Sequence, residues 1–230
     1  MIVTSTLAAR LADVRAGIAE ACARAGRDPA AVTLVGVSKT QPPEAVRDAV
    51  AAGLLDLGEN RAQDLLTQAA AASAAGLAAR WHFIGHLQRN KVREVLPHIC
   101  ALHSLDSVRL VEEIERRWAA RGAAGPLPCY LEVNMAGELQ KSGVAPDGLP
   151  TLLAAAAACP ALVVEGLMTV APQVTDPEQT RPVFRALREL AAAHGLHGLS
   201  MGMTEDYAVA VEEGATVVRV GRAIFGEWRA

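Results

Sequence analysis

Lys39 is the first residue whose type and setting suggest chemistry. It closes the run Val32-Thr33-Leu34-Val35-Gly36-Val37-Ser38-Lys39, which is rich in branched apolar residues and reads as a buried strand over 32–39. Side chains alternate along a strand, so Val35, Val37 and Lys39 share a face. If that face points into a barrel, an amine stands at the top of an apolar well. There the charged form is costly and the neutral, nucleophilic form becomes accessible. Such an amine can form a Schiff base with an aldehyde. A strand-end lysine reaching out to solvent accounts for the same residue.

Two loops late in the chain add a second sign. Ser200-Met201-Gly202-Met203-Thr204 and Arg219-Val220-Gly221-Arg222-Ala223 each set a glycine between a strand end and a helix start. Glycine lets backbone approach an anion, and helix starts point N–H groups at it. Either loop alone is an ordinary turn. Both together, opposite a buried lysine, favour a ligand with an aldehyde at one end and a phosphate at the other. Pyridoxal 5′-phosphate (PLP) fits. Arg219 lies two residues after Val217, on the same strand face, within reach of the ring. An arginine beside the pyridine nitrogen keeps it unprotonated, because adjacent positive charges repel, and the ring is then a weak electron sink. A rim salt bridge is the other account of Arg219.

Positioning these residues takes a regular frame. Strands are expected at 32–39, 54–58, 81–85, 98–104, 129–134, 162–168, 199–201 and 215–220. A first helix carries Leu7, Leu11, Val14, Ile18 and Cys22 on one stripe and ends at Gly26. Further helices are expected from Pro42 to about Ala52, over 61–75, over 89–96 up to Pro97, from Asp106 through Trp118, over 148–158, up to His194, over 204–213, and from Gly221 or Arg222. A turn covers Gly122 to Pro128, and a loop over 135–146 carries Lys141-Ser142-Gly143. The helix ending at His194 has two possible starts: Asp176-Pro177 resembles a cap, yet Pro182 would then fall inside it. Eight alternating β and α units without a composition break predict a parallel sheet closed as a (β/α)8 TIM barrel. An open doubly wound sheet would bring a GxGxxG turn after its first strand, and the sequence has none there.

Barrel sites lie at the C-terminal strand ends. Here those ends read Lys39, Glu59-Asn60, His86, Ser104, Asn134, Met168, Ser200 and Gly221, with no carboxylate cluster to bind magnesium. His82 and His86 fall on a strand and beyond Gly85, so they share no helix face and a metal pair is not expected.

Composition agrees with a folded domain. Hydrophobic residues are 51% of the 230, charged ones 20%, enough for a sizeable core. The formal charge of -3 argues against nucleic acid. No apolar run approaches the roughly 20 residues of a membrane span. The first ten residues lack the charge-then-apolar pattern of a secretory signal. Residues 7–25 have the arginine-bearing amphipathic character of a mitochondrial presequence, but Asp13 and Glu20 count against one. Cys22, Cys100, Cys129 and Cys159 form no CxxC pair, which predicts reduced, mostly buried thiols and a cytoplasmic protein.

Several stretches resemble the YggS/PROSC family of PLP homeostasis proteins, whose barrel is like that of alanine racemase. They are Val37-Ser38-Lys39-Thr40, Gly58-Glu59-Asn60, Trp81-His82-Phe83-Ile84-Gly85-His86-Leu87-Gln88-Arg89-Asn90-Lys91, Gly166-Leu167-Met168, Leu199-Ser200-Met201-Gly202-Met203 and Val218-Arg219-Val220-Gly221. They follow the family's order over essentially the whole chain. The resemblance implies one PLP-binding domain over 1–230, its helix 1–26 packed on the barrel, with Lys39 as the Schiff-base lysine. It implies phosphate contacts at Ser200, Gly202, Gly221 and Arg222, a pyridine-side Arg219, and Asn60 among the cofactor-binding residues. It also implies a role in carrying, buffering or delivering PLP, with PLP-dependent apo-enzymes as partners, no membrane or nucleic acid, and a monomer. Position 222 is commonly Ser or Thr in that family and is Arg222 here, so the phosphate contact falls to backbone N–H or to the guanidinium. Position 61, often aromatic there, is Arg61.

The alternative is a PLP-dependent amino-acid racemase. It needs a second acid/base, usually a tyrosine from an added β-domain. The chain has Tyr130, expected at the start of strand 5, and Tyr207, in the helix after strand 7. Neither is expected at the site. A cofactor-free phosphate-binding barrel enzyme would leave Lys39 unexplained unless it is an aldolase, which would want an acid/base nearby.

Overall fold

The computed structural model describes residues 6–119, 125–138, 140 and 142–226. Eight parallel strands close into a barrel in sequence order: β1 Thr33–Val37, β2 Asp56–Glu59, β3 Arg80–Phe83, β4 Ala101–Leu105, β5 Leu127–Glu132, β6 Leu162–Met168, β7 Gly198–Ser200 and β8 Val217–Val220. The seam is β1 against β8, with Thr33 opposite Val217 and Gly36 opposite Val220. The helices are α1 Leu7–Arg24, α2 Pro43–Ala51, α3 Ala62–Ala74, α4 Val92–Val95, α5 Val108–Ala119, α6 Leu149–Ala158, α7 Arg181–Ala193, α8 Tyr207–Glu212 and α9 Arg222–Phe225. This is the (β/α)8 barrel that the alternation predicts, with α1 added before the first strand.

The apolar stripe of α1 explains its place. Thr6 Oγ1 accepts the Ala9 N–H at 3.2 Å and starts the helix. Leu11, Val14, Ile18 and Cys22 are buried, and α1 packs on α8 and α9. Arg10 Nε donates to the Ile224 carbonyl at 2.7 Å, and Arg27 donates to the Ala215 carbonyl at 2.9 Å.

Boundaries move where local chemistry outweighs pattern. β4 begins at Ala101 rather than 98, because Leu96–His98 continues α4 as a 3-10 turn. Pro97 sits at the start of that turn, where its missing N–H costs nothing. β5 begins two residues earlier than 129: the Leu127 N–H donates to the Ala161 carbonyl at 2.8 Å. α8 begins at Tyr207 rather than Thr204, because the Met203 N–H donates to Asp206 Oδ1 at 2.6 Å and closes a turn first. Both candidate starts before His194 are used. Asp176 Oδ1 accepts the Glu178 N–H at 3.0 Å and caps a 3-10 turn over Pro177–Thr180, and α7 then starts at Arg181 with Pro182 in its first turn. Part of the turn expected over 122–128, and Lys141, lie outside the described residues.

Among the described residues, no helix is long and apolar enough to cross a membrane. Cys22, Cys129 and Cys159 are buried, Cys100 is partly so, and all four are free thiols.

Candidate functional site

The C-terminal strand ends open into a cavity of about 890 Å³. Its wall combines strand ends with the loops that follow them, including residues 170–175 after β6. The β1 ladder stops at Val37, and the Ser38 N–H donates to the Gly58 carbonyl at 3.2 Å. The Gln41 N–H then donates to the Ser38 carbonyl at 3.0 Å, and the chain turns with Thr40 at φ +60°. Lys39 therefore stands in a turn two residues beyond the strand, half-buried, on the cavity wall with Val37.

The surroundings of Lys39 are not the apolar well expected from the strand face. Glu59 is fully buried behind it and accepts from Ser38 Oγ at 2.7 Å. Burial pushes the Glu59 carboxyl up to about 7, against the pull of the Ser38 bond and the Lys39 charge. Asn60 lines the cavity, and its buried Oδ1 has no hydrogen-bond partner. Glu132 ends β5 and lines the opposite wall, 7% exposed. Burial and the Asp106 charge push its carboxyl up to about 7, while Arg219 and His86 pull it down. Its Oε2 is buried without a partner. Glu132 and Asp206 thus line the cavity, while Glu59 stays buried behind Lys39. Among the described residues no group is placed to hold a metal ion. His82 turns to Asp56 and His103, whereas His86 pairs with Asp106 at 2.9 Å on the rim.

Arg219 is buried on β8 at the cavity floor. One guanidinium nitrogen donates to Ser200 Oγ at 2.6 Å and another to the Thr169 carbonyl at 3.0 Å. Burial lowers its pKa to about 10, with Glu132 and Asp206 opposing. The loops after β7 and β8 meet beside it. The Gly221 N–H donates to Thr204 Oγ1 at 3.3 Å, and Arg222 pairs with Glu205 at 2.8 Å.

Comparison with known proteins follows the same lines. Residues 10–228 match the family described as "Alanine racemase, N-terminal domain". The "Pyridoxal phosphate homeostasis protein" of Pseudomonas aeruginosa is 44% identical over 224 residues, covering 96% of each chain. The protein of that description from Aquifex aeolicus is 42% identical over 224 residues, covering 95% of this chain and 96% of its own. The solved structure of PipY from Synechococcus elongatus, with PLP bound, matches with a TM-score of 0.83 at 33% identity, covering 96% of this chain and all of PipY (100%). This chain belongs to the family of pyridoxal phosphate homeostasis proteins.

The expected site residues are distributed unevenly here. Lys39, Asn60, Arg219, Gly221 and Arg222 all line the one cavity. Ser200 and Gly202 do not line it. Ser200 lies inside the barrel, its Oγ bonded to Arg219 and, at 2.8 Å, to His103 Nδ1. Gly202, at φ +91°, gives its carbonyl to the Arg219 N–H at 3.0 Å, and a Cβ there would come within 2.5 Å of Ala210 Cβ. It shapes the loop that presents Met203 and Thr204. The Arg222 guanidinium is engaged by Glu205, and Arg61 starts α3 from an exposed position off the cavity wall.

Sequence reading missed Thr204, Glu132 and Glu205 on the cavity wall. Thr204 was assigned to a helix that starts three residues later. Glu132 was hidden by placing the end of β5 at Asn134. Neither tyrosine lines the cavity. Tyr130 stacks on His103 inside the barrel, with ring centroids 4.7 Å apart, and the Tyr207 hydroxyl lies against Gly17 of α1.

Proposed function

We propose that the chain is a single PLP-binding domain that carries, buffers or delivers PLP in the cytoplasm, acting as a monomer that supplies PLP-dependent apo-enzymes. The observation that carries this reading is the convergence of Lys39, Arg219 and the two glycine loops on one cavity. The donor set suits the cofactor: an amine for the aldehyde, buried and unpartnered polar atoms on Asn60 and Glu132, and a hydroxyl and backbone N–H groups beside Arg222 for a phosphate. Bound PLP supplies an electrophilic aldehyde and a ring able to accept electrons. Lys39 would hold the aldehyde as the Schiff-base lysine. Thr204, Gly221 and Arg222 would meet the phosphate, with Gly202 setting the loop and Ser200 fixing Arg219. Arg219 would face the pyridine nitrogen and keep a proton off it, because the two positive charges would repel. A ring so held is a poor electron sink, which suits storage over turnover.

A second reading, amino-acid racemization, draws on Glu132, a carboxyl near pKa 7 on the cavity wall. It predicts exchange of the amino acid Cα hydrogen in deuterated water, lost in Glu132→Gln. No exchange in wild type would leave storage alone.

The deciding experiment is the near-visible absorbance of PLP-titrated protein beside its Lys39→Ala variant. The expected result is a band in wild type that is absent in the variant, which still binds PLP weakly through its phosphate. A wild type that stays colourless with PLP, or borohydride trapping on another lysine, refutes the assignment.

A further inference from the structure

A chain of buried polar groups crosses the barrel and ends on Arg219. It starts at Asp56, the first residue of β2, which is paired with exposed Arg80. His82 Nε2 lies 3.1 Å from Asp56 Oδ1, and His82 Nδ1 lies 2.9 Å from His103 Nε2. His103 Nδ1 lies 2.8 Å from Ser200 Oγ, which accepts from Arg219 at 2.6 Å. The strands involved are β2, β3, β4, β7 and β8. β4 and β7 are not neighbours in the barrel, so the His103–Ser200 bond spans its interior. A barrel interior is ordinarily filled by branched apolar side chains.

Counting protons shows that the chain has two complete states. With two ring protons on His82, Nε2–H donates to Asp56 and Nδ1–H donates to His103 Nε2. His103 then holds its single proton on Nδ1 and donates it to Ser200 Oγ. That oxygen also accepts from Arg219, so its own proton must point out of the chain. With one proton on His82, Nε2–H still donates to Asp56 and Nδ1 becomes an acceptor. His103 carries its proton on Nε2, and Ser200 donates to His103 Nδ1 while accepting from Arg219. One proton is released to water between the two states, and two of the bonds reverse direction. A hydroxyl that donates is a better acceptor, so Ser200 grips Arg219 more firmly in the second state.

We propose that Asp56, His82, His103 and Ser200 are positioning residues that form a proton-sensitive relay, through which protonation of His82 on one side of the barrel sets how tightly Arg219 is held at the cavity floor.

The groups that face the relay are consistent with it. Asp56 of β2, Cys100 before β4 and His103 of β4 face His82. Burial works against the charge on His82, but its bonds to Asp56 and Cys100 outweigh burial and raise its pKa to about 9. His103 is faced by His82, by Tyr130 of β5, by Ser200 and by Arg219. Burial and the neighbouring His82 and Arg219 charges keep it neutral. Glu132 and Asp206 face Arg219 by charge.

The bearing of the relay on PLP rests on the function proposed above. The relay itself is tested in the ligand-free, full-length protein, so its failure and that of the cofactor assignment are separate results. The measurement is 15N NMR of the histidine and arginine side chains between pH 6 and 10. At pH 7 both His82 nitrogens should be protonated and His103 should carry its proton on Nδ1. As pH rises through about 9, His82 should lose one proton. His103 should change to the Nε2–H tautomer with the same midpoint, and the Arg219 resonances should follow. In Asp56→Asn, which removes the partner charge, the midpoint should fall by about 1 unit or more. In Ser200→Ala, His82 should still titrate while Arg219 no longer follows it. A His103 tautomer that stays fixed while His82 titrates overturns the proposal. So does an Arg219 that follows equally without the Ser200 hydroxyl. If a variant does not fold, the wild-type titration of His103 and Arg219 decides alone.

Discussion

Glu132→Gln should stabilise the ligand-free protein, and only above a defined pH. Glu132 is 7% exposed, one carboxylate oxygen is buried without a partner, and the Arg219 and His86 charges do not offset the burial. Its carboxyl rises from 4.5 to about 7 on folding. At 1.36 kcal/mol per pKa unit, the ionised side chain costs about 3 kcal/mol in the folded state. The sign follows from proton counts. Between pH 4.5 and 7 the folded protein binds more protons at this site than the unfolded chain, so stability falls as pH rises. Glutamine has the same shape and no charge to lose. Urea unfolding of both proteins from pH 4 to 9 should give superimposed stabilities at the acid end. The variant's advantage should grow through pH 4.5 to 7 and level off at about 3 kcal/mol. His82 adds its own decline in both proteins: its pKa rises to about 9, so the stability it contributes is full below its unfolded value of 6.5 and is lost as pH climbs towards 9. The difference between the two curves removes that common part. Parallel curves at all pH values would show that Glu132 is ionised at no cost and would refute the burial argument.

Three further outcomes follow from the cavity wall. Glu205→Ala frees the Arg222 guanidinium for an anion, so phosphate-ligand affinity by calorimetry should rise roughly two- to fivefold, the range of an exposed ion pair, and an unchanged affinity would show that Arg222 does not reach the phosphate. Gly85→Ala places a methyl group against the backbone of Asn60, so it should lower stability by about 1–3 kcal/mol and weaken PLP binding, and a neutral result would mean that the β2 and β3 ends are not in contact. Thr40 holds φ +60° beside Lys39, a conformation costing a branched residue about 1–2 kcal/mol. Thr40→Gly should therefore leave stability unchanged or raise it by up to about 1 kcal/mol, after glycine's own entropic cost of about 0.5–1 kcal/mol. A clear loss of stability would show that the turn is unstrained.

The parts of this molecule that depend on periodicity were legible before any coordinates. The α1 stripe of Leu11, Val14, Ile18 and Cys22, the β6 limits at Leu162 and Met168, and the eightfold alternation all follow from apolar spacing, and all appear in the fold. Lys39, Asn60 and Gly221 were legible as strand-end residues, which barrel geometry brings together, Arg219 by its strand face, and Arg222 only through the family resemblance. What periodicity could not supply was where a strand stops. The Met203–Asp206 turn delays α8 and turns Thr204 from a helix residue into a cavity residue, through one backbone-to-carboxylate bond. β5 stops at Glu132, which puts a carboxylate on the wall beside the expected amide of Asn134.

Contacts across the barrel interior are a different kind of information. No local pattern marks His82, His103 and Ser200 as partners, since 21 residues separate the first pair and 97 the second. They meet because barrel closure brings β4 and β7 face to face, and the pairing depends on tautomers that no sequence spacing records. Ser200 makes the consequence concrete. The family resemblance made it read as a phosphate ligand, while its side chain points inward and bonds to Arg219. Its effect on an anion in the cavity would pass through the guanidinium. Replacing Ser200 should therefore alter what Arg219 does before it alters what the phosphate loops do, and the two effects separate experimentally. A ligand that carries the ring without the phosphate should lose affinity on Ser200→Ala, whereas inorganic phosphate should bind Ser200→Ala and wild type alike. Equal losses for both would return Ser200 to the phosphate site and take Arg219 out of the argument.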